Sequence, residues 1–200
     1  MEKLLKIPYA VFNDWDQLQQ FLERKGNPRY ELVGDVNLYY RKDIFDLGNL
    51  IRVDGDLDLR YTQIQSLSAL EYVDGDLDLR FTPIESLGNL VRVDGYLNLF
   101  DTPIQSLGNL EYVGGNLVLN YTAIQSLGNL QYVGGSLALR DTLIESLGNL
   151  KHVGGDLNLF ETSIESLGNL EYVGHTIILS DYHQIPREQL TKFKDQIKYY

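Results

Sequence analysis

Apolar positions over most of this chain return every 20 residues. In the segment Val53–Leu70, VDGDLDLRYTQIQSLSAL, Leu57 and Leu59 alternate with Asp56, Asp58 and Arg60. A period of two predicts a short strand with one buried face. After Thr62 the spacing changes, and Ile64, Leu67, Leu70 and Val73 recur every three residues. That does not fit a strand, and most copies hold Gly and Asn there. The spacing predicts a return path of tight turns or 3₁₀ helix, whose i and i+3 side chains fall on one side. One coil thus reads strand, turn at Thr62, return path and second turn, the last at Asp54-Gly55 here and Gly114-Gly115 later. The letters SLGNL stand at 86–90, 106–110, 126–130, 146–150 and 166–170, with looser copies DLGNL at 46–50 and SLSAL at 66–70.

A fixed period of this length predicts a solenoid. No single unit can bury its leucines, but stacking about 4.8 Å apart as a parallel sheet turns repeated letters into columns. The Leu, Ile and Val columns then form the interior. The Asn column (Asn89, Asn109, Asn129, Asn149, Asn169) is expected to bond backbone at the turn.

The pattern LxLxxTxIxxL, filled by Leu57, Leu59, Thr62 and Ile64 and again by Leu77, Leu79, Thr82 and Ile84, resembles the leucine-rich repeat. Six copies keep register without an insertion, down to Leu157–Ile164, and the resemblance covers about residues 33–185. The units look like the short repeats of bacterial and phage leucine-rich proteins. Two departures stand out. The family's first leucine is Asp54, Asp74, Asp94, Gly114, Gly134 or Gly154 here, and its asparagine is Thr62, Thr82, Thr102, Thr122, Thr142 or Thr162. A threonine hydroxyl can still bond backbone of the neighbouring coil. The resemblance implies an α/β solenoid with one parallel β-sheet, irregular or 3₁₀ return segments, and capping helices at both ends. It also implies a sheet that grips a protein or peptide.

Residues 1–32 read as an N-terminal helical cap. Asn13 or Asp14 can cap a helix running to about Lys25, with Trp15, Leu18, Phe21 and Leu22 on one apolar stripe. Gly26 and Asn27-Pro28 end it. The solenoid follows over 33–180, about eight coils, in a single structural domain. Its first unit is irregular, with one extra residue in Tyr39–Asp43 between Leu38 and Ile44. Residues 181–200 read as a C-terminal capping helix that starts after Pro186, with Leu190, Phe193, Ile197 and Tyr200 on one face.

The 200-residue chain carries a formal charge of −11, and residues 31–180 hold 21 Asp/Glu against 8 Lys/Arg, a net −13. That disfavours nucleic acid and anionic membrane, which need clustered Lys and Arg. It allows a basic protein partner. There is no cysteine, so disulfides, thiolate nucleophiles and Cys-ligated zinc are excluded. The three histidines, His152, His175 and His183, form no metal-binding or catalytic spacing. No apolar run is long enough to span a bilayer, and the start lacks a secretory pattern, so a cytoplasmic protein is expected. No cofactor is expected.

Function is expected on the strand face opposite the leucines, whose letters vary between copies. The candidates are Asp56, Asp58, Arg60, Asp76, Asp78, Arg80, Phe81, Tyr96, Asn98, Phe100, Tyr121, Arg140, Asp156 and Phe160. Aromatics with Arg are what interface hot spots use. The structural alternative is that they stack as cross-strand pairs. Stacked carboxylates such as Asp56 and Asp76 repel, and Arg60, Arg80, water, a basic partner or Ca²⁺ could relieve this. Paired carboxylates could also act as acid and base, but a continuous sheet offers them no cleft. The rival interface is the return-path column Arg52, Tyr72, Arg92, Tyr112, Tyr132, His152 and Tyr172. The expectation is a non-enzymatic scaffold for a protein partner. The alternative is an acidic mimic that occupies a basic or nucleic-acid-binding surface.

Overall fold

A computed structural model describes residues 4–12 and 14–200. The chain winds as a parallel β-solenoid of about eight turns with leucines at regular spacing. Each coil contributes a strand to each of two parallel nine-stranded sheets. The leucine sheet is built from pairs such as Leu57–Asp58 and Leu77–Asp78, paired Leu57 to Leu77. The valine sheet is built from pairs such as Tyr72–Val73 and Arg92–Val93, paired Val73 to Val93. A third side carries isolated parallel bridges, Ser66 to Ser86, Ser106 to Ser126 and Ser146 to Ser166.

The expectation of one sheet with 3₁₀ return segments is therefore corrected: the return path carries the valine sheet. A 3₁₀ turn satisfies its N–H groups within itself, but a stacked coil offers carbonyls next door. Glu71 N donates to Ile51 O at 2.8 Å and Asp74 N to Val53 O at 3.0 Å. The three-residue spacing arises instead from corners. Leu70 N closes a turn onto Leu67 O at 3.0 Å, and Gly88, Gly108, Gly128, Gly148 and Gly168 hold φ near +57° in that turn. Only glycine enters this region without steric cost. The SLSAL copy puts Ser68 there, at φ +49°.

The interior is the set of columns expected. Val73, Leu77, Leu79, Ile84, Leu87 and Leu90, and their equivalents in other coils, are buried. The threonine column is buried with them, but its bonds differ from expectation. Each hydroxyl donates to a carbonyl three residues back in its own coil, as Thr62 Oγ1 to Leu59 O at 2.8 Å and Thr122 Oγ1 to Leu119 O at 2.7 Å. The side chain closes the corner after the leucine strand rather than tying coils together. The asparagine column ties them in part: of the five expected residues Asn109 and Asn149 donate to Gly88 O and Gly128 O of the previous coil, both at 3.4 Å, and Asn49 donates to Asn27 O at 2.7 Å.

Helix α1 (Trp15–Arg24) closes the first end. Asp14 caps it by accepting from Gln17 N at 2.9 Å, and Trp15, Leu18 and Leu22 are buried. Asn13 lies outside the described residues. The helix sits between two strands of the valine sheet, Leu5–Pro8 and Tyr30–Val33, which pair with each other. The extra residue of the first unit is matched by a bulge where Tyr30 pairs with Leu50 and Glu31 with Arg52.

The C-terminal cap corrects the expected helix. Helix α2 (Arg187–Leu190) is one turn, a 3₁₀ turn follows to Phe193, and Ile197–Tyr199 is a strand that ends the leucine sheet. Leu190 and Phe193 do bury themselves over the last coil. Beyond them the exposed sheet edge competes with helix and wins, with Ile177 N donating to Gln196 O at 2.9 Å and Tyr200 N to Leu179 O at 3.0 Å. Two glutamines seal the other edge groups. Gln189 Oε1 accepts from Leu167 N at 2.8 Å, and Gln196 Nε2 donates to Val173 O and His175 O. This is how a solenoid end avoids templating aggregation.

Candidate partner-binding surface

The outer face of the leucine sheet begins with the Asp56 column, and most of this column is used internally. Asp35 Oδ1 accepts from Asp56 N at 2.9 Å, Asp56 Oδ1 from Asp76 N at 2.7 Å, and Asp76 Oδ1 from Tyr96 N at 2.7 Å. The ladder resumes with Asn116 on Ser136 N, Ser136 on Asp156 N and Asp156 on Thr176 N. Each side chain takes the N–H of its own equivalent one coil on. The expected carboxylate repulsion is thus offset by oriented N–H dipoles. The ladder also fixes a glycine on the next coil: a Cβ at Gly75 would lie 2.2 Å from Asp56 Oδ1 and 2.6 Å from Gly55 C.

The next column closes the strand. Asp58, Asp78, Asn98 and Asn158 accept from the N–H two residues ahead, at Arg60, Arg80, Phe100 and Phe160. Val118 and Ala138 cannot do this. Asn120 instead reaches across to Arg140 N at 2.9 Å. Arg60 forks onto Asp58 at 2.6 and 2.9 Å, and Arg80 pairs with Asp78 at 2.7 Å. Burial raises the Asp58 carboxyl, but hydrogen bonds from Arg60 and its charge outweigh this and hold it below the usual carboxylate range. The Tyr96 phenol is pushed up by burial and by the neighbouring Asp78 charge. Among the described residues no group of three or more His, Asp or Glu is placed to hold a metal ion, and no helix is long and apolar enough to cross a membrane.

At the corner after the strand the backbone turns left-handed on non-glycine residues. Tyr40, Tyr61, Phe81, Asp101, Tyr121, Asp141 and Glu161 hold φ between +55° and +62°. This region costs an L-residue about 1–2 kcal/mol, and bulky side chains are uncommon in it. The aromatic side chains here and at the preceding position form a continuous row. Tyr39 and Tyr40 each lie 5.8 Å from Tyr61, Tyr61 is 4.8 Å from Phe81, Phe81 is 5.7 Å from Phe100, and Phe100 is 5.3 Å from Tyr121. The Phe81–Phe100 and Phe100–Tyr121 pairs are T-shaped, at 72° and 74°. In a T-shaped pair the edge of one ring meets the face of the other, and here Phe81 and Phe100 are half-buried while Tyr121 is exposed. Cations of the chain itself lie over other rings of this side: Lys42 Nζ is 5.1 Å from the Tyr40 centroid, and the Arg140 guanidinium carbon 5.2 Å from that of Phe160.

The rival column on the valine sheet is arranged otherwise. Tyr112, Tyr132, His152 and Tyr172 stack at 4.6–4.9 Å with interplanar angles of 2–12°, and Arg92 covers Tyr112 at 3.7 Å. Faces meet faces within the stack, and its last ring, Tyr172, is 50% exposed. This stack behaves as a cross-strand ladder.

The sequence-expected residues therefore divide. Asp56, Asp58, Asp76, Asp78, Asn98 and Asp156 hold backbone together, and Asn98 is only 4% exposed. Phe81, Phe100 and Tyr121 join in the row, Arg60 lies over Tyr39 at its start, Arg140 and Phe160 form a separate pair beyond it, and Arg80 stays with Asp78. The candidates named from the sequence leave out Tyr39, Tyr40 and Tyr61, which complete the row; Tyr61 falls on the strand face by its register, Tyr39 and Tyr40 do not. The signal was a Tyr-Tyr pair in the irregular first unit, one residue out of register with Tyr61. The chain matches no protein-family model, no curated protein and no solved structure.

Proposed function

We propose that the protein is a non-enzymatic scaffold that binds a protein or peptide along the aromatic corner of the leucine sheet. One observation carries this reading. Seven successive corner positions sit where glycine is cheapest, yet all carry a Cβ and four are Tyr or Phe. Strain kept in coil after coil is a reason to look for function. The leucine and isoleucine spacing supports kinship with short leucine-rich repeats, and the valine sheet is where this solenoid departs from the expected single sheet. The acidic-mimic alternative draws on the net charge, but the leucine-sheet carboxylates that would carry it are held by backbone N–H groups and arginines. Catalysis is no part of this reading, because those carboxylates line a continuous sheet.

The test compares capture of a partner by the wild type and by Phe81→Asn/Tyr121→Asn, with Tyr132→Ala as the control on the valine sheet. Asparagine accepts the left-handed backbone, so the rings are removed without adding strain. The corner variant should lose capture and the control keep it. Equal capture by all three overturns the assignment.

A further inference from the structure

We infer that the protein forms a two-fold dimer through the side of the solenoid that carries the asparagine column. Three observations on that side carry it, and none of them involves the aromatic corner. The first is a column that repeats with little internal use. Asn89, Asn109, Asn129, Asn149 and Asn169 are all exposed. Of these, only Asn109 and Asn149 reach a carbonyl of their own chain, both at 3.4 Å. The exposed column beside them has drifted to Val91, Glu111, Gln131, Lys151 and Glu171. Repetition of the unit alone would not spare one column and scatter the next. Each amide offers two donors and an acceptor, so a ladder of them is complementary to the same ladder in a second copy.

The second is a cation without a partner. Residues 31–180 hold eight Lys and Arg. Seven of them meet a carboxylate or an aromatic ring of the chain. Lys151 is exposed and meets neither among the described residues. Glu111, two coils back with Gln131 between, is exposed and in no ion pair among the described residues. The third is the shape that holds these groups. Glu111, Gln131 and Lys151 line an open groove of about 480 Å³ together with Asn129, Asn149 and Asn169.

A two-fold axis lying in this side along the strand direction turns a second copy end over end. Each column then faces its own equivalent in reverse coil order. With the axis at the coil of Gln131, Asn129 meets Asn129 of the second copy and Asn109 meets Asn149 of the second copy. Glu111 meets Lys151 of the second copy, and symmetry makes that pair twice. A shift by a whole coil sets Glu111 or Lys151 against itself. A shift by half a coil leaves neither with an opposite charge. The charge pattern therefore selects one register. Glu85 then faces Glu165 of the second copy, which confines the contact to the coils of Gln105, Gln125 and Glu145.

Sedimentation velocity on the full chain, at concentrations up to about 100 μM because small polar interfaces give weak dimers, tests this. The wild type should dimerise. Lys151→Glu and Glu111→Lys should each weaken the dimer at least about tenfold, and Glu111→Lys/Lys151→Glu together should restore it to within a few-fold of wild type. Asn129→Asp, which sets two carboxylates face to face on the axis, should weaken it too. Circular dichroism should be unchanged throughout, since all three side chains are exposed. The corner variant Phe81→Asn/Tyr121→Asn should dimerise as the wild type does. A wild type that stays monomeric overturns the inference. So do single reversals without effect, a double reversal as weak as the single ones, or loss of the dimer in the corner variant.

Discussion

Two glycines of one coil are constrained for different reasons, and an alanine at each measures the difference. Gly108 holds φ +56° with nothing within 4 Å of a built Cβ. Gly108→Ala therefore adds only the left-handed strain, about 1 kcal/mol. Gly95 needs no special dihedral, but a Cβ there would lie 2.6 Å from Gly75 C, 2.7 Å from Gly75 O and 2.3 Å from Asp76 Oδ1. Two of those atoms are backbone and cannot swing aside. Relief to ordinary contact requires the coils to part by about 1 Å. That breaks the bond from Gly95 N to Gly75 O (3.1 Å) and the charge-assisted one from Tyr96 N to Asp76 (2.7 Å). At about 1 kcal/mol for the first and about 2 for the second, plus lost packing around Leu97, Gly95→Ala should cost about 3–5 kcal/mol. His175 occupies the same column in the last coil and keeps the equivalent bonds, His175 N to Gly155 O at 3.1 Å and Thr176 N to Asp156 Oδ1 at 2.9 Å, because no following valine-sheet strand holds that segment against the small shift a Cβ requires. Urea denaturation followed by circular dichroism gives both values from the shift in midpoint. A cost for Gly95→Ala no larger than that for Gly108→Ala would refute the account of inter-coil packing.

Ser68 stands at φ +49° where other copies have glycine, so Ser68→Gly should stabilise the chain by up to about 1 kcal/mol, read as a rise in melting temperature. Asp58→Asn keeps the turn onto Arg60 N but loses the ion pair, and should cost about 1 kcal/mol at neutral pH. Because the folded carboxyl is depressed, its contribution is present above the unfolded value of about 3.9 and disappears as pH falls through the lower folded value. The stability gap between wild type and Asp58→Asn should be flat from pH 8 to 5 and close below about pH 4; a gap that widens with acid contradicts the pairing.

The solenoid was legible because a strict 20-residue period keeps every buried letter in register, so Leu57, Leu77 and Leu97 had to become one column. The valine sheet was not, because Val73 has Glu71 and Gly75 two residues away and so shows no alternation, whereas the equally short strand at Leu57–Asp58 is marked by Leu57 and Leu59. What was on the page was a β-branched residue beside an aromatic one, repeated in most coils, which suits a pleated surface. The last strand was missed for the opposite reason. Leu190, Phe193, Ile197 and Tyr200 fit a helix period, but four apolar residues cannot register the competing sheet edge at Ile177–Leu179.

The harder lesson concerns which columns are free to serve a partner. Variation between copies marked the leucine-sheet face as available, yet Asp56, Asp76, Asn116, Ser136 and Asp156 differ in letter and agree in role: each accepts a hydrogen bond from the next coil. A column of acceptors is as constrained as a column of leucines, although its letters change. The corner column varies in a different sense. Tyr, Phe, Asp and Glu share neither charge, shape nor a common bond, only a side chain held in backbone that would suit glycine. Packing explains why the chain turns there, but glycine would turn it at less cost. The side chains are therefore the reason glycine is absent, and what lies outside them is where a partner must be sought.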